Sequence, residues 1–239
     1  MRIVGLTGGI ACGKSTVSRL LQQNHKLPII DCDVVAREVI LPNRRAYKRI
    51  IDNFRYTVPN LINPDQSINR PALGQAVFGN QQNLAILNSI VQPAIRFEIA
   101  KQLVKAYLQS QHMVILDAPL LYETKLHLLC RLVITVSCDE EIQVERLLSR
   151  NPELTKEDAR KRISSQLSTK ERNHRADIVL HNNKSPEVLQ KYVEELVEEI
   201  RPNPIVTLLN GFPPFGLISA LLTFSNTGIR DLLKATSFK

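Results

Sequence analysis

Near the start of the chain, Gly8-Gly9-Ile10-Ala11-Cys12-Gly13-Lys14-Ser15 satisfies G-x-x-x-x-G-K-[ST] at each fixed position. The pattern has a physical meaning when it follows a strand and opens a helix. Glycines let the backbone turn until successive N–H groups point inward as an anion nest, and the positive end of the helix adds to that field. Lys14 then reaches the β- and γ-phosphates of a nucleotide, the Ser15 hydroxyl serves Mg²⁺, and Thr16 is a further phosphate contact. The whole run from Gly8 to Thr16 is therefore the expected nucleotide site. Cys12 reads as a small residue filling a loop position rather than a redox group.

A phosphate loop alone does not separate a kinase from a nucleotide-driven switch, so the neighbouring carboxylates and cations matter. Asp31-Cys32-Asp33 ends an apolar run, and parallel strands present their C-terminal ends at one edge. Asp33 can take a proton from an attacking hydroxyl, position Mg²⁺, or cap a helix beginning at Val34; Asp31 reads as its support. Asp117 ends the run Met113-Val114-Ile115-Leu116 and suits a Mg²⁺-holding carboxylate as well as an ordinary strand end. From Arg146 to Arg175 there are nine Lys or Arg against four Asp or Glu. That is either a solvated helix face or a lid whose arginines close over a triphosphate, with Arg146 the first candidate.

The elements that must position these groups follow from periodicity. Short, branched, apolar runs predict strands at 2–7, 28–31, 113–117, 131–136 and 177–180. Between them, apolar residues at helical spacing predict helices at 14–23, from 34 onward, 84–109 with a kink or start at Pro93, 140–150, 158–166 and 186–200. Residues 42–83, interrupted by four prolines, read as irregular. Strands alternating with helices imply an α/β fold with a mostly parallel sheet of five strands, covered by helices on both faces.

Composition narrows the class. The chain has 239 residues, 44% apolar, with 31 Lys and Arg against 23 Asp and Glu for a net charge of +8. The size supports one large domain, or one with a small appendage. The positive balance suits phosphate-rich partners of any kind, but 5% aromatics and no Trp argue against a stacking platform for single-stranded nucleic acid. No window of about 18 apolar residues predicts a membrane-spanning helix. Four cysteines without paired spacing read as free thiols in a reducing compartment. Met1–Thr7 runs straight into the glycine loop without a leader pattern, which points to an intracellular, cytoplasmic setting. From Pro202 to Ile229 no residue is charged, and Arg230, Lys234 and Lys239 follow. This stretch reads as a tail packed on the domain, or as a contact to a membrane surface or partner.

Taken together, Val4-Gly5-Leu6-Thr7 leading into the loop, Asp31-Cys32-Asp33-x-x-Ala36-Arg37, and Asp117-Ala118-Pro119-Leu120-Leu121-Tyr122-Glu123 resemble the dephospho-CoA kinase family. Gln143-x-x-Arg146-Leu147-x-x-Arg150 and Ala176-Asp177-x-x-Leu180-x-Asn182 are similar to its later motifs. The tail, with Phe212-Pro213-Pro214-Phe215-Gly216, is similar to the fungal branch.

The resemblance implies a P-loop kinase domain over 1–200, with a helical acceptor-binding insert at about 34–110, a lid at about 146–175 and the tail at 201–239. It implies ATP and Mg²⁺, dephospho-CoA as acceptor, and no nucleic acid. It further implies Asp33 as the base on the ribose 3′-hydroxyl, Lys14 and Arg146 on the transferring phosphoryl, and Ser15 and Asp117 at the metal. Arg37, Gln92 and Arg96 would hold the acceptor. Gln92 stands where the family shows His before Pro, and an amide cannot carry charge. The tail would touch an organelle membrane or an assembly for CoA synthesis. Two other readings share parts of this site: a kinase of another nucleoside or nucleotide, and a nucleotide-binding scaffold with weakened catalysis.

Overall fold

The computed structural model describes residues 1–201 and residue 228; the expectations placed on the tail otherwise lie outside the described residues. Five strands, β1 (Arg2–Gly8), β2 (Ile29–Asp31), β3 (Met113–Asp117), β4 (Leu132–Ser137) and β5 (Ile178–His181), form a parallel sheet in the order β2-β3-β1-β4-β5. β1 is central, pairing Leu6 with Asp117 of β3 and Gly8 with Val136 of β4. The three middle strands are the continuous apolar runs of the sequence, as a sheet covered on both faces demands.

Contacts divide the described chain into a sheet unit, residues 1–30 and from 106 onward, and a second unit, Asp31–Lys105. In the sheet unit, α1 (Lys14–Gln23) and α9 (Pro186–Ile200) cover one sheet face. Val17 and Leu21 of α1 meet Leu189, Val193, Leu196 and Ile200 of α9 over Val4, Leu6, Ile115 and Ile134, all of them buried. Each such aliphatic side chain contributes about 1.5–3 kcal/mol of transfer free energy. Arg2 donates to the Ile200 carbonyl at 2.7 Å, satisfying an otherwise orphaned group at the end of α9. On the other sheet face, Gly5 leaves the space that Leu121 and Cys130 fill. The helices α6 (Glu140–Arg150), α7 (Lys156–Ser164) and α8 (Thr169–Arg175) lie between β4 and β5 in the chain. Val144 and Leu147 of α6 pack on Ala159 of α7, with Ile10 and Ala11 against them.

The second unit holds α2 (Cys32–Glu38), α3 (Arg45–Phe54), α4 (Arg70–Val77) and most of α5 (Gln81–Leu108). Its core joins Ala46, Tyr47, Ile50, Phe54, Leu61, Ile68, Leu73 and Ile90. One expectation needs correction here. Residues 42–83 are not irregular, because they contain α3 and α4. The signals were present: Ala46, Tyr47, Ile50 and Phe54 share one helical face, and Asn69 caps α4 by accepting from the Ala72 N–H at 3.1 Å, with Pro71 in the first turn. Of the two readings of Pro93, a start is excluded, because it lies inside α5.

Candidate active site

The loop leaves β1 at its C-terminal end and enters α1 through Gly13, whose φ of +92° is left-handed. No side chain caps α1, so its first N–H groups stay available to an anion. Lys14 lies beside Asp117 at the end of the adjoining β3, Nζ to Oδ1 2.6 Å, with the carboxylate side chain almost fully buried. The ammonium is thereby anchored at the strand edge. Ser15 is exposed on the first turn of α1 and Thr16 is half-buried.

Much of the loop's shape is imposed from far along the chain. Gln143 of α6 donates through Nε2 to the Ile10 carbonyl at 2.7 Å, and the Ile10 N–H donates to Gln166 Oε1 at 3.0 Å. Asn182, just beyond β5, donates to the Cys12 carbonyl at 2.9 Å, and its own carbonyl accepts from Arg146 at 3.1 Å. Arg146 is therefore tied to the loop through one intervening residue. Arg150, one turn on, is exposed.

The arginine that lies against the loop itself was not singled out by sequence. Arg172 of α8 is only 3% exposed, and a Cβ on Gly9 would sit 3.0 Å from its Nη1 and 2.8 Å from Gln143 Nε2. Gly9 thus leaves the room into which these two side chains reach. Burial lowers the Arg172 pKa from its ordinary value, while the neighbouring Cys12, Glu123 and Tyr122 act in the opposite sense. Charge-run composition could not distinguish this buried cation from the solvated ones around it. Arg175 stacks over the Tyr122 ring, 4.5 Å from its centroid, and faces Glu171 at 3.7 Å.

In the second unit, the helix cap is Asp31 rather than Asp33. Asp31 ends β2 in extended geometry and its Oδ1 accepts from the N–H groups of Asp33 at 2.8 Å and Val34 at 3.0 Å. A residue that leaves a strand can aim its side chain at the following amides; Asp33, already in the first turn, cannot. Its carboxylate is exposed and makes no hydrogen bond among the described residues. Arg37 lies further along α2 and lines a cavity of about 350 Å³ with Arg70, Asn63, Ser67 and apolar neighbours. Gln92, half-buried, and Arg96, exposed, are four residues apart on α5. No cluster of three or more His, Cys, Asp or Glu residues suited to a metal occurs among the described residues. A phosphate-bound Mg²⁺ needs no such cage, because one or two protein oxygens plus phosphates and waters suffice.

A sheet with its glycine loop at the C-terminal edge of the central strand, an ammonium fixed by the next strand's terminal carboxylate, and arginine-bearing helices set against that loop define a P-loop kinase. The family model for dephospho-CoA kinase matches residues 2–187, and the chain belongs to that family. It is 47% identical over 220 residues to the dephospho-CoA kinase CAB5 of Saccharomyces cerevisiae, covering 92% of this chain and 91% of the yeast protein, which supports a fungal-type member. Two solved structures also align with it. A Thermus thermophilus protein has a TM-score of 0.70 at 27% identity, and a dephospho-CoA kinase from Campylobacter jejuni has a TM-score of 0.65 at 26%. Each alignment covers 84% of this chain and 98% of the other. No described helix is long and apolar enough to cross a membrane.

Proposed function

We infer that this ATP-dependent kinase transfers the γ-phosphoryl group of ATP to the ribose 3′-hydroxyl of dephospho-CoA, giving coenzyme A and ADP. Family membership supports the choice of acceptor. The observation that carries the chemistry is the division of labour between two aspartates. Asp31 satisfies the helix N-terminus, which leaves the Asp33 carboxylate exposed as a base for the attacking hydroxyl. Phosphoryl transfer needs little else from the protein than placement and charge. Loop N–H groups hold the phosphates, Lys14 neutralises charge on the transferring group, and Arg146 adds to this from α6. Ser15 and Asp117 would hold Mg²⁺, which when bound neutralises phosphate charge.

In this reading the helical insert at about 34–110 binds the acceptor, and residues at about 146–175 act as a lid. The cavity at Arg37 supports the first assignment: its lining carries two guanidinium groups and no carboxylate, with apolar walls from Ile40, Leu41, Ile68 and Pro71. A pyrophosphate joined to a largely apolar chain has that character. Gln92 and Arg96 supply an amide and a cation from α5. The same reading places the enzyme in the cytoplasm, with the 201–239 tail as its contact to an organelle membrane or a CoA-synthesis assembly; the composition of that tail is its support. The comparisons do not favour the scaffold alternative.

The test combines purified protein, Mg-ATP and dephospho-CoA, with AMP and adenosine as competing acceptors, and follows product mass. Coenzyme A should form and the competitors should stay largely unphosphorylated. Bound ATP with no phosphorylated acceptor, or preferential phosphorylation of AMP, would overturn the assignment.

A further inference from the structure

All four cysteines are buried thiols outside any disulfide, and two of them face each other. Cys138, which follows the last residue of β4, donates its S–H to Cys12 Sγ across 3.4 Å, joining residues 126 positions apart. Cys130 instead donates to the Leu126 carbonyl, and Cys32 belongs to the second unit. Sequence spacing could not reveal the pair, because only the sheet order brings the end of β4 beside the loop that leaves β1.

We propose that Cys12 and Cys138 are an oxidative modification site, closing to an intramolecular disulfide in the presence of hydrogen peroxide and thereby disabling the phosphate loop. The environment assigns the two sulfurs different parts. Cys12 is lowered to about 7, chiefly by the hydrogen bond from Cys138, with Arg172 acting in the same direction. Cys138 is raised, chiefly by that same bond. The thiolate is the nucleophile in this chemistry, so Cys12 reacts first and Cys138 resolves.

In the first step the Cys12 thiolate attacks one peroxide oxygen. An S–O bond forms, the O–O bond breaks, and the departing hydroxide leaves as water with the proton that Cys12 gave up. In the second, Cys138 sulfur attacks Cys12 sulfur. The S–S bond forms, the S–O bond breaks, and the released hydroxide takes the Cys138 proton as a second water. Two thiols lose two electrons and one hydrogen peroxide is reduced.

The cost to the loop follows from geometry. A disulfide needs about 2.05 Å between sulfurs, so the pair must close by roughly 1.4 Å from 3.4 Å. Cys138 is continuous with β4, whose Ser137 pairs with His181 of β5, whereas Cys12 is carried on the loop. The loop therefore yields, straining the Asn182 bond to the Cys12 carbonyl and displacing the N–H groups around it. Misplacement of reacting groups by about 1 Å can cost on the order of 10²-fold in rate. Both sulfurs are covered, with Cys12 fully buried, so a small oxidant reaches them when the loop opens. A nucleotide held on the loop keeps it closed.

The experiment uses the reduced full chain, a titration with hydrogen peroxide, N-ethylmaleimide quenching, peptide mapping by mass, and equilibrium binding of ATP. Because ATP binding is the readout, failure here is distinct from failure of the dephospho-CoA assignment. A Cys12–Cys138 linked peptide should appear, with ATP affinity reduced at least tenfold and restored by dithiothreitol. Mg-ATP present during oxidation should slow linkage at least tenfold. Cys138→Ser, when reduced, should bind ATP as the wild type does, and its oxidation should give no linked peptide and no dithiothreitol-reversible loss. Oxidation that leaves this peptide absent would overturn the proposal, as would a linked form with unchanged ATP affinity. The same reversible loss in Cys138→Ser would also overturn it. Should that variant not fold, the wild-type peptide map and binding decide alone.

Discussion

On the proposed reading, with nucleotide phosphates held by the sheet unit and the acceptor by the second, the two units solve their recognition problems in opposite ways. In the sheet unit, both backbone groups of Ile10 are held by glutamines, the Cys12 carbonyl by Asn182, and Lys14 by Asp117. In the second unit, Arg37, Arg70 and Arg96 are exposed and make no ion pair among the described residues. A triphosphate is compact and brings the same charges to every turnover, so donors fixed in advance stabilise it without reorganisation. A long, jointed acceptor is better met by long side chains ordered on binding, at about 0.5–1.5 kcal/mol each.

This contrast is sharpest for Asp33 and Lys14. Asp33→Asn should lower kcat by about 10²–10⁴ with ATP affinity and Tm near wild type, because the exposed carboxylate supports nothing else. Lys14→Ala should lower kcat/KM by about 10²–10³ and also depress Tm, because it leaves a buried Asp117 charge without its cation. Thermal melts beside steady-state kinetics separate the two. Equal effects on Tm would break the distinction drawn between the units.

Arg70→Ala should raise KM for dephospho-CoA about tenfold with kcat nearly unchanged, as for a group that binds ground and transition states alike. A fall in kcat at unaltered KM would move Arg70 out of acceptor binding. In the sheet unit, Gln143→Leu leaves the Ile10 carbonyl without its donor and should cost about 1–3 kcal/mol by denaturant unfolding, together with weaker ATP binding.

The smallest effect concerns pH. Asp158 closes a capping box with Thr155 at the start of α7, and the Thr155 hydroxyl and N–H hold its carboxyl below the usual value. A depressed carboxylate stabilises the fold above its unfolded pKa of about 3.9 and loses that contribution as pH falls through the folded value. Amide exchange in the first turn of α7 should therefore quicken on acidification, and Asp158→Asn should remove this pH dependence.

The sequence was informative where one residue type does one job. The glycine loop, α1 and α9, and the apolar runs of β1, β3 and β4 were legible, because periodicity and turn chemistry report burial directly. What it hid were long-range polar bonds. Gln143, Gln166 and Asn182 bind loop backbone, and nothing in a glutamine's neighbours announces a carbonyl more than a hundred residues away. Arg172 was lost in a charge run of which it is a buried member. Residues 42–83 were misread because prolines drew more weight than the 46/47/50/54 stripe.

The dependence of the loop on its distant neighbours also orders events during synthesis. The nucleotide motif leaves the ribosome before the segments that shape it, and β1 has no sheet partner until residues 113–117 and 132–137 follow it. The carboxamides of Gln166 and Asn182 arrive later still. A nascent chain halted at residue 160 carries the entire phosphate motif and half of the Ile10 clamp, so the shaped nucleotide loop follows the synthesis of β5 although its motif precedes it.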